Sequence, residues 1–152
     1  MRAAKAGDWL HVVAITPVKA GGTVLTLDGD VVQRPSRHSI QLDEGTHIEV
    51  TGDLALERMM RDHPWRFTNH SCDPNTRLVG RSLVALRPVR AGDEITYNYN
   101  TSEWELAEPF ECRCGSPACE GTIRGFKYLE PAERGRIEPL LAPHLLRRLQ
   151  LI

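Results

Sequence analysis

Three of the chain's four cysteines fall in one short run, Cys112-x-Cys114-x4-Cys119. Gly115 and Pro117 lie inside that run and force turns, and tight turns let several thiolates converge on one ion. Structural zinc takes four thiolate or imidazole ligands in a tetrahedron, with zinc–sulfur bonds of ~2.3 Å. The run supplies three ligands, and Cys72 is the simplest fourth, with His63 and His70 as alternatives. Free thiols or disulfides are the competing reading. Four cysteines allow three pairings, and Cys112 and Cys114 are too close for an easy mutual bridge. The second concentration of chemistry is residues 65–80, which are rich in Asn, Ser, Asp and Pro and show no period. Such a stretch reads as loop, yet it carries Trp65, Phe67 and His70, and polar loops that hold aromatics are often sites. Elsewhere acid–base chemistry is thin. Ser71 beside His70 forms no triad, because neighbouring side chains point apart. Asp62-His63 has no nucleophile nearby, and no glycine-rich phosphate loop is present.

The elements that must position these residues are short. Residues 9–15 are apolar and β-branched, 23–27 alternate loosely, Asp28-Gly29-Asp30 is a turn, and Val31-Val32 resumes a strand. Residues 39–42 and 47–50 are further strands, as are 83–86 and 94–99 around the turn at 90–93. Residues 53–61 predict a helix with Leu54, Leu56, Met59 and Met60 on one face and Pro64 as its stop. After Pro131 two short helices are expected, each opened by a proline (Pro131, Pro143). Leu140, Leu141, Leu145, Leu146 and Leu149 give them an apolar face to pack back on the core. Many short strands and few helices make a β-rich domain.

The whole chain has 152 residues, which suits one domain. Hydrophobic residues make up 41% and charged residues 26%, an ordinary folded composition. A formal net charge of -1 excludes binding to polyanions by bulk charge, so no direct nucleic-acid binding is expected. No apolar run reaches the ~18 residues of a membrane span, and the N-terminus has no apolar stretch of a signal peptide. The expectation is a cytoplasmic protein with reduced cysteines.

Arg66-Phe-Thr-Asn69-His70-Ser71-Cys72-Asp73-Pro74-Asn75 resembles the R-F-x-N-H-S-C-x-P-N signature of SET-domain protein-lysine methyltransferases. Gly92-Asp93-Glu94-Ile95-Thr96-Tyr97-Asn98-Tyr99 resembles that family's G-x-E-[IL]-T-[FY]-x-Y, and the cysteine run is similar to its post-SET zinc motif. The resemblance covers residues 9 to about 128. It divides the chain into a SET domain (1–109), a post-SET zinc segment (110–128) and a C-terminal helical tail (129–152). With the lean towards Arg, Ala and Gly, the compact chain reads as bacterial.

The resemblance implies a fold of small curved sheets with a knot-like threaded loop. It implies S-adenosylmethionine on one face and a narrow channel for a substrate lysine on the other. Tyr99 takes the place of the catalytic tyrosine. Tyr97 takes a position that favours mono- or dimethylation. Arg66, Phe67, Asn69, His70 and Phe110 would hold the cofactor, and Cys72 would join Cys112, Cys114 and Cys119 on structural zinc. The expected partner is a lysine in a protein or peptide, with no membrane and an open oligomeric state. The N-terminal motif departs: Trp9 and His11 stand where the family has glycines, Leu27 where it has tyrosine, and Asp30 where it has glutamate. Trp9 and His11 would therefore line a reshaped cofactor pocket. The alternatives are a binding module of this fold without turnover, and an enzyme acting on a small amine.

Overall fold

The computed structural model describes residues 1–151. Its strands, in chain order, are β1 (Arg2–Ala6), β2 (Trp9–Val13), β3 (Thr23–Thr26), β4 (Asp30–Val32), β5 (Ile40–Asp43) and β6 (Thr46–Glu49), then β7 (Asn69–His70), β8 (Thr76–Val79), β9 (Ser82–Ala85), β10 (Thr96–Tyr97), β11 (Phe110–Glu111) and β12 (Thr122–Ile123). The helices are α1 (Leu56–Asp62), α2 (Pro131–Ile137) and α3 (Pro143–Gln150). Short 3-10 turns occupy Pro64–Phe67, Tyr99–Thr101, Phe126–Tyr128 and Glu138–Leu140. Among the described residues the strands form five small sheets: β1-β2, β3-β9-β8, β4-β6-β5, β10-β7 and β11-β12. No described helix is long and apolar enough to cross a membrane.

Three segments differ from the sequence expectation, and one strand, β1, lies where none was assigned. β1 has a helix-forming composition, Arg-Ala-Ala-Lys-Ala, but five register pairs with β2 hold it extended and bury Ala3 against the core. Pairing with a neighbour outweighs an intrinsic preference of a few tenths of a kcal/mol per residue, about the spread among ordinary residues. The aperiodic stretch 65–80 contains a 3-10 turn and two strands, because β8 finds β9 as a partner one tight turn away. The strand expected over 94–99 is only two residues long, and Tyr99 starts a 3-10 turn. Helix α1 begins at Leu56, so Asp53 and Leu54 lie outside it.

Two apolar cores result. The first gathers Val12, Leu27, Ile48, Trp65, Leu83 and Ile95 from the sheets and the turn at 64–67. The Trp65 indole N–H donates to the Asp28 carbonyl at 2.9 Å, which satisfies its polar end. The second core is Phe126, Leu129, Ile137, Leu141 and Leu145, so the proline-opened helices pack back as their leucines predict. Full burial of each such side chain contributes ~1.5–3 kcal/mol.

The tail also grips the segment after Tyr99. The Ala142 N–H donates to the Thr101 carbonyl at 2.8 Å, and His144 Nε2 donates to the Ser102 carbonyl at 2.7 Å. From the other side Phe126 N–H donates to the Glu103 carbonyl at 2.8 Å. Gly125 makes this close approach possible: its φ is +115°, and a Cβ there would lie 2.6 Å from the Trp104 carbonyl oxygen.

Candidate active site and thiol cluster

β7 and β10 pair in parallel, with Asn69 opposite Thr96 and His70 opposite Tyr97. Two motifs more than twenty residues apart thus become one surface. Asn75 staples them: its Nδ2 donates to the Glu94 carbonyl at 2.8 Å, and its Oδ1 accepts from Thr96 N–H at 3.0 Å. Asn69 Nδ2 donates to the Leu10 carbonyl at 2.8 Å and to Glu94 Oε1 at 3.2 Å, which ties β7 to β2.

Around this junction four rings meet. Tyr97 and Tyr99 lie 4.8 Å apart between centroids, His70 packs edge-on to Tyr99 at 5.3 Å, and Phe110 packs edge-on to His70 and Tyr99 at 5.8 Å each. The Tyr99 hydroxyl donates to the Thr68 carbonyl at 2.7 Å. Its oxygen then presents lone pairs, not a proton, to whatever enters beside it. Burial pushes both tyrosines above the ordinary phenol range, so both stay protonated near neutrality.

A narrow cleft of about 50 Å³ opens beside these rings, lined by Arg66, Thr68, Tyr97, Tyr99, Glu103 and Leu106 among others. Glu103 is the residue that the sequence did not announce. It belongs to no motif, yet it is 2% exposed and lines the cleft with both tyrosines. Its Oε1 accepts from Gln41 N–H at 2.7 Å. Burial lifts its carboxyl to about 8. The only sequence signal was a lone acid four residues past Tyr99, between a serine and a tryptophan.

The other expected residues separate. Arg66 lines the cleft, and its guanidinium lies 5.6 Å from the Phe67 ring centre. Phe67 is a main-core residue. Trp9 is 55% exposed at the end of β2, and Phe110 is 36% exposed, so each offers a ring to solvent. His11 is half-buried, and its Nδ1 is shielded without a partner. Leu27 is a core residue. Trp104 and Phe126 serve packing: Phe126 is in the second core and Trp104 packs against it under the Arg148 guanidinium.

The four thiols do converge. The Sγ atoms of Cys72, Cys112, Cys114 and Cys119 all lie within 4.8 Å of one another. The Cys72–Cys112 sulfur separation of 3.9 Å suits two vertices of a tetrahedron with ~2.3 Å arms. Burial pushes the Cys72 thiol up and Cys112 to about 11. Ionising such a set together needs a cation in its midst. His63 sits instead beside Asp28, at 3.1 Å.

His70 joins the two halves of the site. Its Nδ1 accepts from the Tyr99 backbone N–H at 3.0 Å. A backbone amide can only donate, so Nδ1 is bare and Nε2 carries the ring proton. Nε2 lies 3.2 Å from Cys72 Sγ and donates to it. Burial lowers the ring to about 4, which keeps this neutral tautomer. Both ring nitrogens are therefore used inside the protein, and only the ring edge and the backbone remain for a ligand.

The family profile described as SET domain matches residues 9–100. The chain belongs to the SET-domain family. This SET-domain chain is 31% identical over 140 residues to "Histone-lysine N-methyltransferase ash1" of Drosophila melanogaster, covering 83% of this chain and 6% of that protein. It is 33% identical over 111 residues to "Methyltransferase flvH" of Aspergillus flavus, covering 70% of this chain and 55% of that protein. The chain thus spans about half, or far less, of these relatives. Among solved structures it is similar in fold to KRYPTONITE in complex with mCHG DNA and SAH, with a TM-score of 0.55, 21% identity and coverage of 77% of this chain and 27% of that one. The SET-domain fold of small sheets is the one the motifs implied.

Proposed function

We propose that this SET-domain chain is an S-adenosylmethionine-dependent methyltransferase acting on the ε-amine of a lysine in a protein. The observation that carries the reading is the juxtaposition at the β7–β10 junction. There Asn69-His70 and the Tyr97–Tyr99 segment adjoin across one pair of strands.

When bound, the cofactor supplies a methyl group on a sulfonium. The residues present fit it. Trp9 and Phe110 leave ring surface open, His11 Nδ1 is shielded and unpartnered, and Asn69 uses only its amide hydrogens within the protein. Trp9, His11, Asn69, Phe110 and the His70 backbone would hold it, with Phe67 supporting from the core. Arg66 contributes to the cleft instead.

The cleft does the rest. Its small volume suits a slender aliphatic chain rather than a bulky group. Burial favours the neutral amine over the ammonium. The Tyr99 hydroxyl, fixed by Thr68, accepts from the amine's remaining N–H and so aims its lone pair. Tyr97 lines the cleft, and its hydroxyl leaves little room for a third methyl, so mono- or dimethylation is the product. The thiol cluster would hold structural zinc, which takes no part in the transfer itself.

The test is transfer of labelled methyl from S-adenosylmethionine to purified core histones, with free lysine in parallel. Label in histone is the expected result. Label in free lysine alone points to a small-amine enzyme. No transfer, from protein that binds the cofactor's demethylated product, means a different donor or acceptor chemistry. No binding of either means a module that keeps the fold without turnover.

A further inference from the structure

The cleft carries one carboxyl that the proposed reaction has not used. Glu103 is the sole carboxylate among the described side chains lining it, in company with Tyr97, Tyr99 and Leu106. Its carboxylate is fixed rather than mobile. Oε1 accepts from Gln41 N–H at 2.7 Å and lies 3.4 Å from the Ser102 hydroxyl. Oε2 takes no hydrogen bond from the described residues, yet it is not among the atoms sealed away from solvent. The backbone on either side is clamped, by His144 on the Ser102 carbonyl and by Phe126 on the Glu103 carbonyl.

The other charged or titratable groups facing this carboxylate are Arg37, His38 and Arg66 at the cleft wall, the two tyrosines, and His144 behind Ser102. Arg37 pairs with Glu108 at 3.7 Å, and Glu49 acts on both Arg66 and His38, so these cations have acidic partners other than Glu103. A buried carboxylate without a paired cation is costly unless a ligand supplies one. No salt bridge to Glu103 forms among the described residues, although its neighbours are rich in arginine.

We infer that Glu103 is the seat and the proton acceptor for the substrate's ε-ammonium, through its open Oε2. This rests on the methyltransferase reading for its catalytic half only. In the step, one N–H bond of the ammonium breaks and nitrogen keeps its electron pair. The proton adds to Oε2, giving a neutral amine and a neutral carboxylic acid, and nothing is oxidised or reduced. The acid returns its proton to water when the product leaves. A proton acceptor works best when its own affinity for the proton lies near the working pH. The burial that lifts this carboxyl to about 8 places it there.

The experiment uses Glu103→Gln, which keeps the shape and the acceptor for Gln41 N–H. The first probe is n-butylamine, a lysine side chain without its backbone, against n-butanol. Both are titrated by NMR on the full chain, and the Gln41 amide is the reporter. The wild type should bind the amine at least about tenfold more tightly than the variant, with butanol equal and weak in both. The spectra themselves report whether the variant is folded, and Gln41→Ala, which keeps the amide, controls for side-chain packing. Equal amine affinity in both proteins, or an unmoved Gln41 amide in the wild type, overturns the inference.

The second readout is methyl transfer to histone against pH. Glu103→Gln should lower kcat about 100-fold near pH 7.5. The loss should shrink as pH rises, because the neutral fraction of the amine grows tenfold per unit without help. A variant with wild-type turnover and an unchanged profile removes the proton-acceptor role. Amine binding that depends on Glu103 in a protein without transfer keeps the ammonium seat and overturns the methyltransferase reading instead.

Discussion

Tyr99→Phe should reduce methyl transfer by about 10²–10³-fold, the scale of losing one positioned hydrogen-bonding group at a reacting centre. The oxygen lost is the one that Thr68 fixes at 2.7 Å. The ring remains, so its contacts with Tyr97, His70 and Phe110 survive. The Thr68 carbonyl loses its donor, which costs about 1–3 kcal/mol of stability and leaves a folded protein. The measurement is kcat on histone beside calorimetric binding of the cofactor's demethylated product. A large fall in kcat with unchanged binding is expected, because the hydroxyl points to the cleft and the backbone N–H, which the variant keeps, points to His70. Turnover within threefold of the wild type would leave Tyr99 as a packing residue with a hydrogen bond to Thr68.

Removing the metal should have the second-largest effect. Four thiols within 4.8 Å of one another link Cys72 to the 112–119 run. A site filled at about a thousandfold over its dissociation constant adds ~4 kcal/mol to stability. For a chain of this size that corresponds to about 10 °C in Tm. Chelation, or Cys114→Ser, should lower Tm by about that amount and abolish methyl transfer. Elemental analysis should give one zinc per wild-type chain and much less in the variant. A full zinc complement in Cys114→Ser would refute the ligand set. Unchanged turnover after complete chelation would show that the clip is dispensable for the chemistry.

The chemistry was more legible in the sequence than its placement. The cysteine spacing announced the thiol cluster, and the R-F-x-N-H-S-C-x-P-N and G-x-E-I-T-Y-x-Y stretches announced the junction, because metal ligation and tight backbone packing tolerate few residue types. Pro131 and Pro143 marked the helix starts to the residue, since a proline at N1 sacrifices no hydrogen bond. What escaped depends on distant partners. β1 looks helical until β2 lies beside it, and β8 looks like loop until β9 returns. Arg66 and Phe67 are adjacent in one motif but face a cleft and a core. Glu103 was invisible because a lone acid in a polar stretch is usually a solvated one, and only the clamp from α3 and Phe126 turns it inward.

The bridging imidazole of His70 has a thermodynamic consequence. One ring accepts from the Tyr99 backbone and donates to the Cys72 sulfur. Whatever occupies the tyrosine side and shifts that ring alters the electron density on a metal-binding thiolate. Linkage is reciprocal: the factor by which such an occupant changes affinity for the ion is the factor by which the ion changes affinity for the occupant. A ligand that moves that ring and an ion held by the four thiols would each register the other's presence in its own affinity.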